Sequence, residues 1–490
     1  MTTSPTQQRS SPPSTVSPRS VRGVIAALLT LVMLAALDQS VLATALPTIS
    51  RDLGGVDLYA WAVTAYLLPG TAVMPLYGKA VDVFGPRRTL AVAGCLFILG
   101  SLLCGLSQTM PALLASRAVQ GLGAAGLMTL AFTITFLVSP PQQRPWYLSL
   151  FGVVFTIASL VGPVVGGGLA ELSWRSIFLL NVPLAAVATL LVRRALRNFP
   201  ATSRSAALDW PGAALLCAAA LAWVTLASLA GTWLAWDGAV LWVVVAGALA
   251  ATTALVRRDR RAVDPLLPLR MFQDRLFALA SAGSALIGVV MFGGVLFLPL
   301  YLQAVKGLSP TVTGLATLPM MVAMVLTSTI SSRHIGRSGV YRPWLVAGSA
   351  LTALSLAGAG FIGADTPVPW TLGILAVLGA GIGLCMQNIL VVAQAALPPG
   401  AVGAGTAMVT FMRQVGASLG TAVLGSIFAL LLRPVGDQFA EGGLLDGAES
   451  AAFVEAINAV VLTASVVAVA LTLAMAALPG DRLPKPVQTP

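Results

Sequence analysis

The placement of charge constrains this chain more than any other feature. Of its 28 basic and 17 acidic side chains, only three lie inside long apolar segments and away from their ends: Asp38, Arg117 and Arg413. A charged group at the centre of a bilayer costs about 2.5–3.5 kcal/mol, so it usually has a charged partner or faces a polar cavity. The three residues therefore indicate a polar pathway through a bundle of membrane-spanning helices.

The composition excludes a soluble globular domain. Only 9% of the 490 residues are charged and 57% are hydrophobic, whereas soluble domains carry about 25% charged residues. The net charge of +11 does not indicate a nucleic-acid partner, because the basic residues lie in alternate loops and not on one face. With a single histidine (His334, in a predicted loop), no nucleophile elbow and no Walker A sequence, we expect neither an enzyme nor an ATPase, and no metal or cofactor.

Recurring apolar segments of about 20 residues predict an all-α polytopic membrane protein. About fourteen are found, at approximately 23–45, 59–78, 89–106, 112–137, 147–170, 176–194, 208–230, 239–256, 276–302, 313–331, 343–362, 370–396, 403–431 and 456–478. With this count about 22 basic residues fall in loops on one side and about 4 on the other. The positive-inside rule then places both termini in the cytoplasm.

Two basic stretches, 195–208 and 257–275, bracket a helix pair that contains no intramembrane charge. This predicts an insertion between two six-helix halves. The expected organisation is a disordered cytoplasmic segment 1–22, a first half 23–194, a linker with two inserted helices 195–275, a second half 276–478 and a cytoplasmic tail 479–490.

The depths of Asp38 and Arg117 along their helices make a direct or water-bridged ion pair feasible if the first and fourth helices touch. Asp38 lies about 12 Å from the outer end of its predicted helix and Arg117 about 7–8 Å from the outer end of its own, at 1.5 Å per residue. Burial and a nearby arginine move a carboxyl pKa in opposite directions, so opening and closing of a cavity could make Asp38 bind and release a proton. The alternative is a permanently charged structural pair. Arg413 has no acidic partner that the sequence identifies.

Two glycine-containing segments are candidates for moving parts. The loop after the second helix carries Gly78, Asp82, Gly85, Arg87 and Arg88; glycines permit a tight turn, and Asp82 can accept hydrogen bonds from a facing helix N-terminus. The alternative is an ordinary basic turn. The fifth helix carries Gly162, Pro163, Gly166 and Gly167, where a proline bends a helix and glycines allow a close neighbour. Here the alternative is simple small-residue packing.

Several motifs, in order, resemble those of the major facilitator superfamily, and in particular its drug:proton antiporters with fourteen helices. They are Leu37–Pro47, Gly78–Arg88, Ser116–Ala125, Gly162–Gly167, Trp174–Pro183, Pro299–Gln303 and Arg413–Gly416. The resemblance implies two six-helix halves around a central cavity plus an inserted helix pair, a gating loop at 78–88 and an exporter motif in the fifth helix. The second half departs from the pattern, because Ser332–Arg337 lacks an aspartate, which implies an asymmetric gate.

The function expected from this resemblance is proton-coupled export of hydrophobic or cationic drugs or antibiotics across the bacterial cytoplasmic membrane, by a monomer driven by the proton gradient. The alternative is a dedicated exporter of one endogenous metabolite or self-made antibiotic. Large apolar cavities with a few polar groups suit such ligands. The candidate lining residues, each also compatible with ordinary packing, are Gln39, Trp61, Tyr66, Phe292, Gln303, Met324, Gln387, Asn388, Phe411 and Arg413.

Overall fold

The computed structural model describes residues 18–53, 61–198, 209–229, 238–261, 269–308, 310–398, 401–432 and 447–483. These residues are helical almost throughout and contain no β-strand. The fourteen described α-helices are α1 (Pro18–Leu53), α2 (Trp61–Phe84), α3 (Pro86–Leu106), α4 (Met110–Val138), α5 (Arg144–Ala195), α6 (Trp210–Leu229), α7 (Ala239–Arg261), α8 (Arg275–Ala304), α9 (Pro310–Ala316), α10 (Leu318–Ser338), α11 (Arg342–Ala359), α12 (Val368–Ala395), α13 (Val402–Leu432) and α14 (Gly447–Ala476).

Two local irregularities relate these helices to the fourteen predicted segments. Helix α5 contains two of the segments, joined at Ser173, whose backbone is extended (φ −171°, ψ 122°). Helices α9 and α10 together form one segment, interrupted at Thr317. Within the described residues, nine helical segments are long and apolar enough by themselves to cross a bilayer. The predicted all-α, multi-pass membrane fold is confirmed.

The helices pack as two halves and an inserted pair. Helices α1–α5 pack on one another and form the first half, and α8–α14 form the second half. The inserted pair, α6 and α7, pack together, and α6 also contacts α2 of the first half and α13 of the second. Direct contacts between the halves are made mainly by α2 with α13 and by α5 with α10.

The structure corrects two predicted loops. Helix α2 continues to Phe84, so Gly78 and Asp82 are helical; the turn is confined to Gly85, whose φ of +80° only glycine adopts easily. Helix α10 likewise continues to Ser338, so the segment 332–337, including His334, is helical. Hydropathy shows where a helix leaves the apolar layer, but polar residues do not by themselves end a helix. Helices α2 and α10 therefore extend beyond the apolar segments from which they were predicted.

A repeated glycine arrangement organises both halves. In α4, a Cβ added to Gly121 would lie 2.0 Å from the carbonyl oxygen of Tyr66 in α2. In α12, a Cβ added to Gly379 would lie 2.0 Å from the carbonyl oxygen of Met320 in α10. These distances are shorter than any real carbon–oxygen contact, so each glycine is required for two helix backbones to approach. Small residues allow such packing in membranes, where lipid tails offer no hydrophobic driving force.

Candidate functional site

An ion pair lies buried in the first half. Arg117 Nη1 of α4 donates to Asp38 Oδ2 of α1, and the two residues are 1% and 2% exposed. The pair was expected from the depth of the two residues, and the helices that carry them are in contact. Its role in proton coupling stays a prediction.

Neutral polar side chains complete the coordination of this carboxylate. Asp38 Oδ1 accepts hydrogen bonds from Gln120 Nε2 at 2.8 Å and from Asn181 Nδ2 at 3.0 Å. Gln120 Oε1 in turn accepts a hydrogen bond from Arg117 Nη1 at 2.8 Å, and Gln120 Nε2 also donates to Ser101 Oγ at 3.0 Å. We call Asp38, Arg117, Gln120, Asn181 and Ser101 the Asp38 network. The network draws on helices α1, α3 and α4 and on the part of α5 that follows Ser173.

Three members of the network, Gln120, Asn181 and Ser101, are not among the site residues predicted from the sequence, although two of them carry a signal there. Gln120 follows Arg117 by one helical turn, which places both side chains on the same face of α4. Asn181 is an isolated amide within an apolar segment. Because neither residue is charged, a search for intramembrane charge passes over both.

Tyr66 separates the Asp38 network from a central cavity. The Arg117 guanidinium lies 4.2 Å from the centre of the Tyr66 ring, and the Tyr66 hydroxyl donates to the carbonyl of Ala35 at 3.4 Å. Arg117 Nε donates to the carbonyl of Ala62 at 3.4 Å. Tyr66 itself lines the cavity, so movement of one aromatic ring would change the access of water to the network.

The cavity lies between the two halves. Its apolar walls come from helices α2, α4 and α5 and include Leu67, Met74, Met128, Phe132 and Phe155. Its polar groups are Gln39, Tyr66, Thr71, Thr129, Thr410, Arg413 and Gln414. Arg413 is the only charged residue among the described residues that line it.

Three predicted substrate-binding residues, Gln39, Tyr66 and Arg413, are therefore brought together in this cavity. Gln303, Met324, Gln387, Asn388 and Phe411 do not line it. Asn388 instead bonds to the hydroxyls of Ser331 and Ser332. The side chains of Trp61 and Phe292 lie outside the described part of the chain.

The two halves meet at the end of the bundle that carries Lys79, Arg144 and Arg333, which we call the basic end. Here Asp82 of α2 accepts hydrogen bonds from the backbone N–H groups of Gly403 at 3.3 Å and Ala404 at 3.0 Å. Both groups belong to the N-terminus of α13, where N–H groups lack partners within the helix and the helix dipole is positive. A Cβ added to Gly78 would lie 2.5 Å from the Gly403 carbonyl oxygen. The acceptor role predicted for Asp82 has a defined partner.

A second contact at the basic end joins α10 to α5. A Cβ added to Gly336 would lie 2.2 Å from the carbonyl oxygen of Gln142, and the Arg333 guanidinium lies 4.2 Å from the Trp146 ring. Arg87 and Arg88 are exposed at the start of α3. The halves are thus held together at this end by one carboxylate and several close backbone contacts.

The glycine–proline motif forms a close contact within the first half. A Cβ added to Gly162 would lie 1.9 Å from Ser40 Oγ, and this hydroxyl donates to the carbonyl of Ala158 at 2.9 Å. Gly166 is buried, and the surroundings of Pro163 and Gly167 lie outside the residues whose side chains are described. Helix α5 stays helical through Pro163, and its recorded non-helical residue is Ser173.

A cluster of hydrogen bonds around the exposed Asp52 joins helix ends at the opposite end of the bundle. Asp52 accepts from Trp174 Nε1 at 2.8 Å and from Arg175 Nη1 at 2.9 Å. Arg175 Nη2 also donates to the carbonyl of Ser107 at 3.3 Å. Hydrogen bonds from Trp174 and Arg175 hold the pKa of Asp52 below its ordinary value. The cluster joins the ends of α1 and α3 to α5 next to its break at Ser173.

Comparison with known proteins yields a family and several named relatives. The sequence profile of the Major Facilitator Superfamily matches residues 28–421. An uncharacterized MFS-type transporter of Mycobacterium tuberculosis, Rv1877, is 38% identical over 447 residues, which are 90% of this chain and 64% of that protein. The chain thus spans less than two thirds of this relative. Multidrug resistance protein 3 of Bacillus subtilis is 30% identical over 84% of this chain and 81% of its own length.

Solved structures share the fold at low sequence identity. The proton:xylose symporter XylE matches with a TM-score of 0.62 at 14% identity, covering 95% of this chain and 98% of that one. The human organic anion transporter MFSD10 matches with a TM-score of 0.62 at 18% identity, covering 91% of this chain and 99% of that one. At these identities the similarity establishes the fold alone.

Proposed function

This chain belongs to the major facilitator superfamily, and we propose that it is a proton-coupled secondary transporter that exports small, mainly hydrophobic compounds, including drugs or antibiotics. The Asp38 network beside the central cavity is the observation that carries this proposal. In this proposal the chain acts as a monomer in the bacterial cytoplasmic membrane, with both termini inside. Its energy source is the proton gradient, with no ATP and no cofactor.

In this proposal Asp38 is the group that gains and loses a proton during transport. Its carboxylate is almost completely buried, and Tyr66, whose ring contacts Arg117, also lines the cavity. Protonation would remove the charge of Asp38 and with it the Coulomb attraction to Arg117, which weakens the contact between the two side chains. Loss of that contact would free Arg117 and Tyr66 to move, which links the protonation state to the shape of the cavity.

Export of hydrophobic compounds is supported by two observations of different kinds. The cavity walls are formed by aliphatic, methionine and aromatic side chains, which adapt to varied apolar ligands. Several relatives are named as efflux pumps or multidrug transporters, among them the B. subtilis multidrug transporter protein MdtP at 28% identity over 82% of this chain and 74% of its own length.

Alternating access requires an interface that can open at each end of the bundle. In this conformation the basic end is closed by Asp82 on the N-terminus of α13 and by Gly336 against the chain before α5. These contacts cross between the halves, so they must break when the cavity opens toward this end. We propose that this gate includes the residues at the end of α2 and the start of α3, namely Gly78, Asp82, Gly85, Arg87 and Arg88. We propose that movement of α5 depends on its glycine–proline motif, namely Gly162, Pro163, Gly166 and Gly167.

The test is accumulation of a panel of uncharged and anionic antibiotics and dyes in an efflux-deficient bacterium that expresses the chain. We expect the wild type to lower accumulation, a protonophore to restore it, and Asp38→Asn to behave like the empty vector. Asp365→Asn, at an exposed turn of the second half, is the matched control and should retain export. An Asp38→Asn variant that exports as well as wild type would refute the coupling role. If wild type leaves the whole panel unaffected, a dedicated exporter of one endogenous metabolite becomes the better proposal.

A further inference from the structure

Among the described residues that line the central cavity, one is positively charged and none is negatively charged. Arg413 lines the cavity, and within the described part of the chain no carboxylate lies at ion-pair distance from it. The one intramembrane carboxylate, Asp38, is already paired with Arg117 behind Tyr66. The walls that a substrate would meet therefore carry a net positive charge.

The backbone of α13 is fixed so that Arg413 faces the cavity. A Cβ added to Gly288 of α8 would lie 2.2 Å from the Arg413 carbonyl oxygen, and one added to Gly416 would lie 2.0 Å from the Ala285 carbonyl oxygen. Helices α8 and α13 are thus in close backbone contact along this stretch. The cavity is lined from α13 by Thr410, Arg413 and Gln414. Residues at this spacing lie on one face of a helix.

A second polar group in the cavity lacks a protein partner. Thr129 of α4 is 1% exposed, and its hydroxyl forms no hydrogen bond with any described residue. A buried hydroxyl without a partner is energetically unfavourable, so it usually bonds to water or to a ligand. Thr129 and Arg413 lie on opposite halves of the protein and line the same cavity.

We propose that this cavity selects amphipathic organic anions, with Arg413 binding a carboxylate and the apolar walls packing against the body of the molecule. Guanidinium groups match carboxylates in geometry and bind them through paired charge-assisted hydrogen bonds. In a cavity of low dielectric constant the same charge disfavours a cationic ligand. The inference rests on the proposed function in that the cavity is taken as the transport site, and it replaces the cationic compounds expected from the sequence by anionic ones.

The test uses three ligands with the same ring system and different charge: naphthylacetate, naphthylacetamide and naphthylmethyl-trimethylammonium. Their binding to the purified full-length protein is measured by calorimetry at neutral pH. We expect the carboxylate to bind about ten-fold or more tightly than the amide, as charge-assisted hydrogen bonds predict, and the cation to bind most weakly. Arg413→Gln should abolish the preference for the carboxylate, and Arg413→Lys should retain part of it.

Controls separate recognition of charge from damage to the fold. Binding of the amide should change by less than about three-fold in Arg413→Gln, because an intact cavity keeps its apolar contacts. Arg194→Gln, which removes an equal charge from an exposed site, should bind all three ligands like wild type. Equal affinity of wild type for carboxylate and amide, no binding of the carboxylate, or equal loss of all ligands in Arg413→Gln would each overturn the proposal.

Transport in proteoliposomes distinguishes this inference from the proposed function. If a pH gradient drives the amide but the carboxylate has no advantage, the inference fails and proton-coupled export stands. If the carboxylate binds through Arg413 but no ligand moves in response to a pH gradient, the inference stands and the proposed function fails.

Discussion

The two halves of this molecule share one packing scaffold but contain very different side chains. In the first half Gly121 packs on Tyr66 of α2, and Gly123 packs on Phe97 and Ala93 of α3. In the second half Gly379 packs on Met320 of α10, and Gly381 packs on Thr352 and Gly348 of α11. The two pairs of glycines have the same spacing, so they align α4 with α12.

This alignment shows what differs between the halves. Arg117 and Gln120 precede Gly121 by four positions and one position, and the corresponding residues before Gly379 are Leu375 and Leu378. Both leucines are fully buried. The ion pair and its amide partner are thus confined to one copy of a repeated scaffold, while the other copy has buried leucines at the two corresponding positions. The scaffold accounts for the fold, and the substituted polar residues account for the candidate site.

The same alignment extends to the basic end. Asp82 follows Tyr66 by as many positions as Gly336 follows Met320. Each residue contacts the backbone near the N-terminus of a helix in the opposite half. Asp82 contacts the first residues of α13, and Gly336 contacts Gln142, just before α5. One contact is a hydrogen-bonded carboxylate and the other is a close backbone approach. Closure at this end is therefore asymmetric, as the missing aspartate in Ser332–Arg337 predicted.

The largest effect is expected from the shared scaffold. Gly121→Ala and Gly379→Ala each place a methyl group about 2 Å from a backbone oxygen, so two helices must separate and the variants should fold poorly. Gly373→Ala, where an added Cβ meets nothing within 4 Å, is the control. The yield of monodisperse protein in size-exclusion chromatography measures the effect. If only one of the two variants fails, the halves do not depend equally on this scaffold.

A smaller loss of stability is expected when Arg117 is replaced by leucine, the residue at the corresponding position of the second half. Arg117→Leu leaves Asp38 buried without its cation, which should cost about 3–5 kcal/mol, as for other broken buried ion pairs. Adding Asp38→Asn removes the uncompensated charge and should recover part of this loss. Thermal unfolding in detergent measures both variants, and neither should export in response to a proton gradient. A double variant no more stable than Arg117→Leu would show that the charge of Asp38 is not the cause.

The buried pair also shows how far sequence reasoning reaches. Charge within apolar segments, together with similar depth along the helices, pointed to a pair between Asp38 and Arg117, because a charged group inside the bilayer usually needs a partner or a polar cavity. Gln120 and Asn181 were not selected, since a neutral amide in an apolar segment is compatible with many positions. Only three of the candidates, Gln39, Tyr66 and Arg413, line the described cavity, because the direction a side chain faces depends on how helices rotate against their neighbours. That rotation is set by contacts such as Gly121 with Tyr66, which become visible only in three dimensions.

A more modest change is expected at the asymmetric gate. Asp82→Asn keeps an acceptor at the N-terminus of α13 but loses the charge that favours this site, at a cost of about 0.3–1 kcal/mol. The population open at the basic end should therefore rise by a few-fold, measured as labelling of a cysteine introduced at Ala407. Gly336→Ala should raise labelling further, because its methyl group would lie 2.2 Å from the Gln142 oxygen. Unchanged labelling in both variants would contradict a gate at these contacts.

The smallest effect is expected at the exposed cluster around Asp52, in contrast to the buried pair of the same half. Because the pKa of Asp52 is lowered from 3.8 in the folded protein, its contribution to stability is complete above that value and is lost as pH falls through the lower folded pKa. Asp52→Asn should thus lower the melting temperature slightly at neutral pH, and the difference from wild type should disappear in strong acid. Arg175→Gln should lower it similarly, and the double variant should show less than the sum of the two effects. Additive effects, or a difference that persists below the folded pKa, would show that the cluster acts through packing of Trp174 and not through the Asp52 charge.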